Sequence, residues 1–151
     1  MVERLSLMLG MQQDLQLTIP PKGVDPAAHE GDKMASHVRD MVIALEDELH
    51  EAMNETGWKP WATSRHFNAE PFTKELVDAW HFFMNLMLVG AHQLGMSAEE
   101  YADYFTRQYI TKNVINRERH EKGEYDGLNK CPKCKRDLNE VEPDHLETCN
   151  A

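Results

Sequence analysis

MVIALEDELHEAMNETGWKPW, residues 41–61, and KELVDAWHFFMNLMLVG, residues 74–90, are the two halves of the stretch whose reading decides the fold. In the first half Met41, Val42, Leu45, Leu49, Ala52 and Met53 recur every three or four residues, the spacing of one face of a helix. The second half is apolar almost all round from Trp80 to Val89, which marks a helix buried in a bundle or at a subunit interface. Each half also carries an acidic pair, Glu48-x-x-Glu51 and Glu75-x-x-Asp78. An i,i+3 spacing sets both carboxylates of a pair on one helix face. Two such helices side by side would gather four carboxylates, which repel one another unless a cation lies among them. Hard divalent cations such as Mg²⁺ take oxygen ligands of this kind. A metal site is the expectation, although one acidic pair alone is ordinarily a solvated helix face. Glu46, Asp47 and Glu55 are expected to be such solvated residues.

Outward from this core the pattern stays helical. Leu5–Leu17 places Leu5, Met8, Leu9, Gln12, Leu15 and Gln16 on roughly one stripe, and Thr18–Asp32, with Pro20, Pro21, Gly23, Pro26 and Gly31, reads as a loop. The first long helix is expected over Lys33–Thr56, ended by Gly57, and the second over Phe72–Leu94, closed by Gly95. Between them lie a structured turn at Trp58, Pro60 and Trp61 and a polar connector, Thr63–Ala69. Taken singly, Trp58, Trp61 and Trp80 are expected in the core, and His81 as a hydrogen-bonded core histidine. Ser97-Ala98-Glu99-Glu100 has the pattern of a capping box and opens a third long helix, Ala98–Lys122. No stretch alternates like a strand. The expected architecture is an all-α helical bundle over 1–125, followed by a linker and a small separate unit over 126–151.

Composition narrows the function. The chain has 151 residues, 41% of them hydrophobic, enough for one domain with a core plus a small appendage. A net charge of −10 argues against binding polymeric nucleic acid, whose phosphates need clustered Lys and Arg. It leaves a nucleotide substrate open. The longest apolar run, Phe82–Ala91, is too short to span a bilayer, and Glu3 interrupts the basic start of a secretory signal. The expected setting is the cytoplasm, with no membrane partner.

Tyr109, Lys112, Asn116 and Arg119 step by three or four along the third long helix and share a face. Such a face can cradle phosphate oxygens, or it is a solvated stripe near a helix C-terminus, where cations are favoured in any case. At this point the chain resembles a family. The order Glu48-x-x-Glu51 then, after 23 residues, Glu75-x-x-Asp78 is similar to the all-α, MazG-type nucleoside triphosphate pyrophosphohydrolases. Trp58-Lys59-Pro60-Trp61, Glu75-Leu76-Val77-Asp78-Ala79-Trp80-His81-Phe82-Phe83, Tyr109-Ile110-x-Lys112-Asn113-Val114-x-Asn116-x-x-Arg119 and the early Met11-Gln12-Gln13 resemble, in order, motifs of the dimeric all-α dUTPases. The match runs from about Leu5 to Tyr125.

The resemblance implies a homodimer, with a tetramer as the alternative, that hydrolyses a deoxynucleoside triphosphate to the monophosphate and pyrophosphate. Two or more Mg²⁺ ions would be held by Glu48, Glu51, Glu75 and Asp78, which are the catalytic set. Substrate contacts would come from Gln12, Lys59, Trp61, Phe82, Lys112, Asn116, Arg119 and Tyr125, with Gln12 and Trp61 at a uracil base. Gln13-Asp14-Leu15-Gln16 departs from the Leu-Asn that follows the Gln in the family, so dCTP and purine dNTPs stay beside dUTP as alternatives.

All three cysteines lie after residue 130: Cys131-Pro132-Lys133-Cys134, ten residues, then His145-x-x-x-Cys149. Three Cys and one His at these spacings suit a tetrahedral structural Zn²⁺ site, and the odd thiol count fits a disulfide poorly. The segment resembles the small Cys-Cys-His-Cys fingers of some eukaryotic DNA-repair proteins. A non-enzymatic helical adaptor that recruits partners through this finger is the rival to the enzyme.

Overall fold

The computed structural model of the protein describes residues 2–19 and 21–122, together with Cys131, Lys133, Cys134, Arg136, His145 and Cys149. Among these residues every regular element is a helix: α1 over Val2–Thr18, a 3-10 turn over Pro26–Ala28, α2 over Gly31–Asn54, α3 over Ala69–Gln93 and α4 over Ala98–Glu121. The all-α expectation is met, with each of the first three helices starting two or three residues before its expected first residue. The chain divides into two compact units, residues 1–104 and 105–151, and the division falls within α4. The boundary expected at 125/126 lies outside the described residues.

Helix α3 organises the first unit. It packs along α2 and also meets α1 and the 3-10 turn. The apolar run explains this: Ala79, Met84, Met87, Leu88, Val89 and Ala91 are all buried. Burying one such aliphatic side chain contributes about 1.5–3 kcal/mol, far more than helix propensity supplies. The predicted stripe on α1 is narrower than expected. Leu9, fully buried, and Gln12, 2% exposed, are its buried members, Leu5 and Gln16 are half-buried, and Met8 and Leu15 stay on the surface.

The helix ends follow local chemistry. At α4 the capping box forms as read: the Ser97 backbone N–H and hydroxyl both donate to Glu100 Oε2, at 2.8 and 2.9 Å, and the Glu100 N–H donates back to Ser97 Oγ at 3.2 Å. These bonds, the backbone one first, hold the Glu100 carboxyl below its usual range. Gly95 takes the left-handed conformation (φ 64°) just past α3, as a C-terminal glycine does. Gly57 has a different reason to be glycine. Helix α2 ends at Asn54, three residues earlier, so Gly57 is not its terminator.

Instead Gly57 lies in a loop that doubles back on itself. Its N–H donates to the His66 carbonyl at 2.9 Å, and the Asn68 N–H donates to the Glu55 carbonyl at 2.9 Å. Thr56 and Phe67 form an isolated antiparallel bridge between these two bonds. A Cβ on Gly57 would collide with the Ser64 carbonyl oxygen and lie 2.8 Å from Arg65 Cα. Both are backbone atoms, so nothing can swing away. Gly57→Ala is therefore expected to lower stability by about 1–3 kcal/mol, the cost of overpacking a closed contact. Chemical denaturation of the variant beside the parent checks this, and an unchanged midpoint would refute the close approach.

The same loop corrects one expectation from the sequence. Trp58 and Trp61 are not core residues; they are 44% and 77% exposed. Glu55, expected on a solvated face, does keep its carboxylate at the surface, where it accepts a hydrogen bond from Asn68 Nδ2 at 2.8 Å. The loop is instead held from outside by Arg65, which donates to the carbonyls of Gly57, Lys59 and Pro60 at 2.7 to 2.9 Å. Three carbonyls on one planar guanidinium fix the backbone under both indoles.

Candidate functional site

Glu48 and Glu51 lie one turn apart on α2, and Glu75 and Asp78 one turn apart on α3. The residue after each pair is a buried alanine, Ala52 at 2% and Ala79 at 4% exposure. Such small side chains let helix axes approach closely, since the interaxial distance follows the residues at the contact. Carboxylate oxygens of Glu48, Glu51 and Glu75 consequently come within 4.8 Å of one another. Asp78 is outside this trio but acts on it. Glu48, half-buried, has its carboxyl raised above the ordinary range, by lost hydration first and then by the charges of Glu51, Asp78, Glu75 and Asp47.

Neither the Arg39–Asp40 nor the Lys74–Glu70 ion pair touches the cluster. Three converging carboxylates with no paired base offer the oxygen-only donor set that a hard divalent cation requires. The residues fit Mg²⁺. Raising the Glu48 pKa means that, without metal, the ionised cluster costs stability above that raised pKa, and the cost is relieved as pH falls and the carboxyl protonates. Millimolar Mg²⁺ is therefore expected to raise the melting temperature near neutral pH, with the increment shrinking as acidification protonates Glu48. A thermal melt series across pH reads this directly. An increment independent of pH would detach the cation from Glu48.

Between them α1 and α3 form a groove of about 640 Å³ walled by Met8, Met11, Leu15, Val77, Trp80 and Met84. Trp80 stacks on Phe83 with ring centroids 5.4 Å apart. Polar atoms are few. At the base of the groove Gln12 Nε2 donates to Asn85 Oδ1 at 2.7 Å, and Gln12 Oε1 lies 2.6 Å from His81 Nδ1. Asn85 Nδ2 in turn donates to the thioether sulfur of Met41, 3.2 Å away. Gln12, expected to contact a base, thus has both ends of its carboxamide engaged with protein.

The remaining expected contacts spread further. Lys59 is exposed, with its ammonium 5.8 Å from the Trp58 ring centroid, a cation–π distance. Phe82 is half-buried on α3. Lys112, Asn116 and Arg119 are exposed on the part of α4 that belongs to the second unit, and Tyr125 lies outside the described residues. Asn85 and Arg65 were not singled out from sequence. Asn85 carried a signal, a lone amide inside the apolar run from Trp80 to Val89, mirrored by Gln12 on the apolar stripe of α1. Arg65 carried none.

In the second unit the ligand atoms of Cys131, Cys134, His145 and Cys149 lie within 4.8 Å of one another. Cys134 Sγ is 3.1 Å from His145 Nε2. No disulfide involves the three cysteines. The Cys131 thiol is drawn down to about 6, chiefly by the backbone N–H of Cys134. Cys134 goes the other way: although the Arg136 N–H favours its thiolate, burial and its sulfur neighbours Cys131 and Cys149 prevail. Thiolates and one imidazole at this spacing can hold a tetrahedral Zn²⁺.

No helix among the described residues is long and apolar enough to cross a membrane. A family model described as dUTPase matches residues 4–101 of the chain. That span holds Gln12, both acidic pairs, the Trp58–Trp61 loop and His81, and it stops short of Lys112. Searches of curated proteins and of solved structures returned no match.

Proposed function

The chain belongs to the all-α dUTPase family and is a nucleoside triphosphate pyrophosphohydrolase, and from that membership we propose that it hydrolyses dUTP to dUMP and pyrophosphate with Mg²⁺. The observation that carries the proposal is the convergence of the Glu48, Glu51 and Glu75 carboxylates within 4.8 Å, with no basic partner among the described residues. With Asp78 they are the catalytic set. Mg²⁺ ions held there would offset phosphate charge and make water a better nucleophile.

The residues of the chain do the rest. A carboxylate of α2 orients the attacking water and takes its proton as the water oxygen bonds to phosphorus and the anhydride P–O bond breaks. Lys112, Asn116 and Arg119 offset the charge that builds on the departing pyrophosphate. Trp61 and Lys59, presented by the loop that Arg65 ties down, close over the nucleotide, and Phe82 and Tyr125 complete its contacts. The nucleotide hydrolase spans 1–125 and works as a homodimer, while Cys131, Cys134, His145 and Cys149 hold a structural Zn²⁺. Thiols grouped as metal ligands support a reducing compartment, the cytoplasm.

Pyrophosphate release from dUTP, dCTP, dATP, dGTP and the ribonucleotides, with Mg²⁺ and with chelator, tests the proposal. Metal-dependent turnover of dUTP above the others is expected. Turnover of another dNTP would keep the chemistry and discard the base assignment. No turnover of any nucleotide by folded protein would leave the adaptor reading.

A further inference from the structure

We infer that Arg65 is a positioning residue of the hydrolase: its guanidinium orders the loop over residues 57–66 before the nucleotide arrives, and so sets substrate affinity rather than turnover. The inference deepens the nucleotide-hydrolase reading and rests on it.

The loop joins α2 to α3 at the end of the helix pair that carries the acidic cluster. The Glu51 carbonyl accepts from the Glu55 N–H at 3.3 Å, so the base of the loop starts one turn beyond a cluster residue. Two backbone bonds close that base, from the Gly57 N–H to the His66 carbonyl and from the Asn68 N–H to the Glu55 carbonyl, both at 2.9 Å. Beyond them the chain reverses through Trp58, Lys59, Pro60 and Trp61, where the Ala62 N–H donates to the Lys59 carbonyl at 2.9 Å. No core holds this tip. Trp58, Lys59 and Trp61 are all exposed, Trp61 to 77%. A surface tip of that kind opens at little cost unless something ties it.

Arg65 is the tie. Its Nη1 donates to the carbonyls of Gly57 and Lys59 at 2.8 and 2.7 Å, and its Nη2 donates to the carbonyl of Pro60 at 2.9 Å. Carbonyls that converge on one point oppose one another, and a planar cation with forked donors reconciles them. The three carbonyls flank Trp58 and precede Trp61, so they fix the backbone from which both indoles and the Lys59 side chain project. Lysine carries no such rigid fork, and the exchange is not conservative at a site of this geometry.

Affinity follows from how often the tip is ordered. Where a fraction of the molecules holds the binding conformation, the apparent dissociation constant rises by the inverse of that fraction. Trp61 and Lys59 are the contacts proposed for the nucleotide, so a loose tip has to be ordered during binding, which weakens it. Once the nucleotide is bound the tip is in place with or without Arg65. The carboxylates of Glu48, Glu51 and Glu75, on α2 and α3, then act unchanged. Arg65 therefore enters KM and not kcat.

The test compares full-length parent and Arg65→Ala by pyrophosphate release over a range of concentrations of the preferred nucleotide, with Mg²⁺. The variant is expected to raise KM about tenfold, the value for a tip ordered about one tenth of the time, with kcat within about twofold of the parent. Its melting temperature should hold, because the α2–α3 packing lies elsewhere. Time-resolved anisotropy of tryptophan gives an independent reading: a fast component, small in the parent, should grow in the variant as the loop indoles are released. An unchanged KM, or a fall in kcat with KM held, overturns the inference and leaves hydrolysis standing. A raised KM with parental anisotropy also overturns it, since the loop would then stay ordered without Arg65. If Arg65→Ala does not fold, Arg65→Lys keeps the charge and removes the fork, and a parental KM in that variant overturns the inference. A parent that hydrolyses no nucleotide fails the hydrolase reading, and this inference with it.

Discussion

Glu75→Gln is expected to lower kcat/KM for the preferred nucleotide by about 10²–10⁴-fold, the range over which a single charged group at a phosphoryl or acyl centre acts. Glutamine keeps the size of the side chain, so the α2–α3 packing around Ala52 and Ala79 is undisturbed. What changes is charge. One of three converging carboxylates becomes neutral, and the cation they would share loses a strong oxygen ligand. The variant separates catalysis from folding because the two should move in opposite directions. Removing one negative charge relieves part of the repulsion that, after lost hydration, raises Glu48, so the metal-free melting temperature should hold or rise. Steady-state kinetics with saturating Mg²⁺ and a metal-free thermal melt give both readings. Parental turnover in Glu75→Gln would remove the cluster from the mechanism and leave its acids an ordinary solvated helix face.

The second large effect is expected in the other unit. The protein should purify with one Zn²⁺ per chain, and Cys149→Ser should lose it. Zinc sites of this type contribute on the order of 10–16 kcal/mol of apparent binding free energy at neutral pH, which in so small a unit is folding free energy. The Cys131 thiol, drawn down to about 6, is ready as a thiolate at neutral pH. Its depressed pKa favours the charged form of the folded site above that value and is lost as pH falls through it, where protons displace the metal. Elemental analysis after dialysis at pH 7.5 and at pH 5 measures this, with thiol labelling as a second reading. Zinc retained in full by Cys149→Ser, or absent from the parent, would remove the metal from this unit.

Much of the candidate site was legible because it is written in local spacing. The i,i+3 acidic pairs, the apolar run of α3 and the Ser97–Glu100 capping box depend on residues within a turn or two of one another, where helical geometry alone decides who shares a face. The four zinc-type ligands were legible for a related reason: their chemistry leaves few alternative uses. By contrast, burial of the tryptophans was misjudged. A large ring usually lies inside, but Trp58 and Trp61 sit on a loop whose backbone Arg65 secures from the outside, so no core is needed to hold them.

By itself, then, the sequence determined that the chain is all-helical, which faces are acidic, and where metal-type ligands lie. Only the tertiary structure decided that Ala52 and Ala79 bring α2 close enough to α3 to crowd Glu48, Glu51 and Glu75. It also decided that Gln12 on α1 meets Asn85 and His81 on α3, some seventy residues away. Helical periodicity reports which side of an element is apolar, but a hydrogen-bond partner across the bundle is chosen by packing, and packing is not periodic.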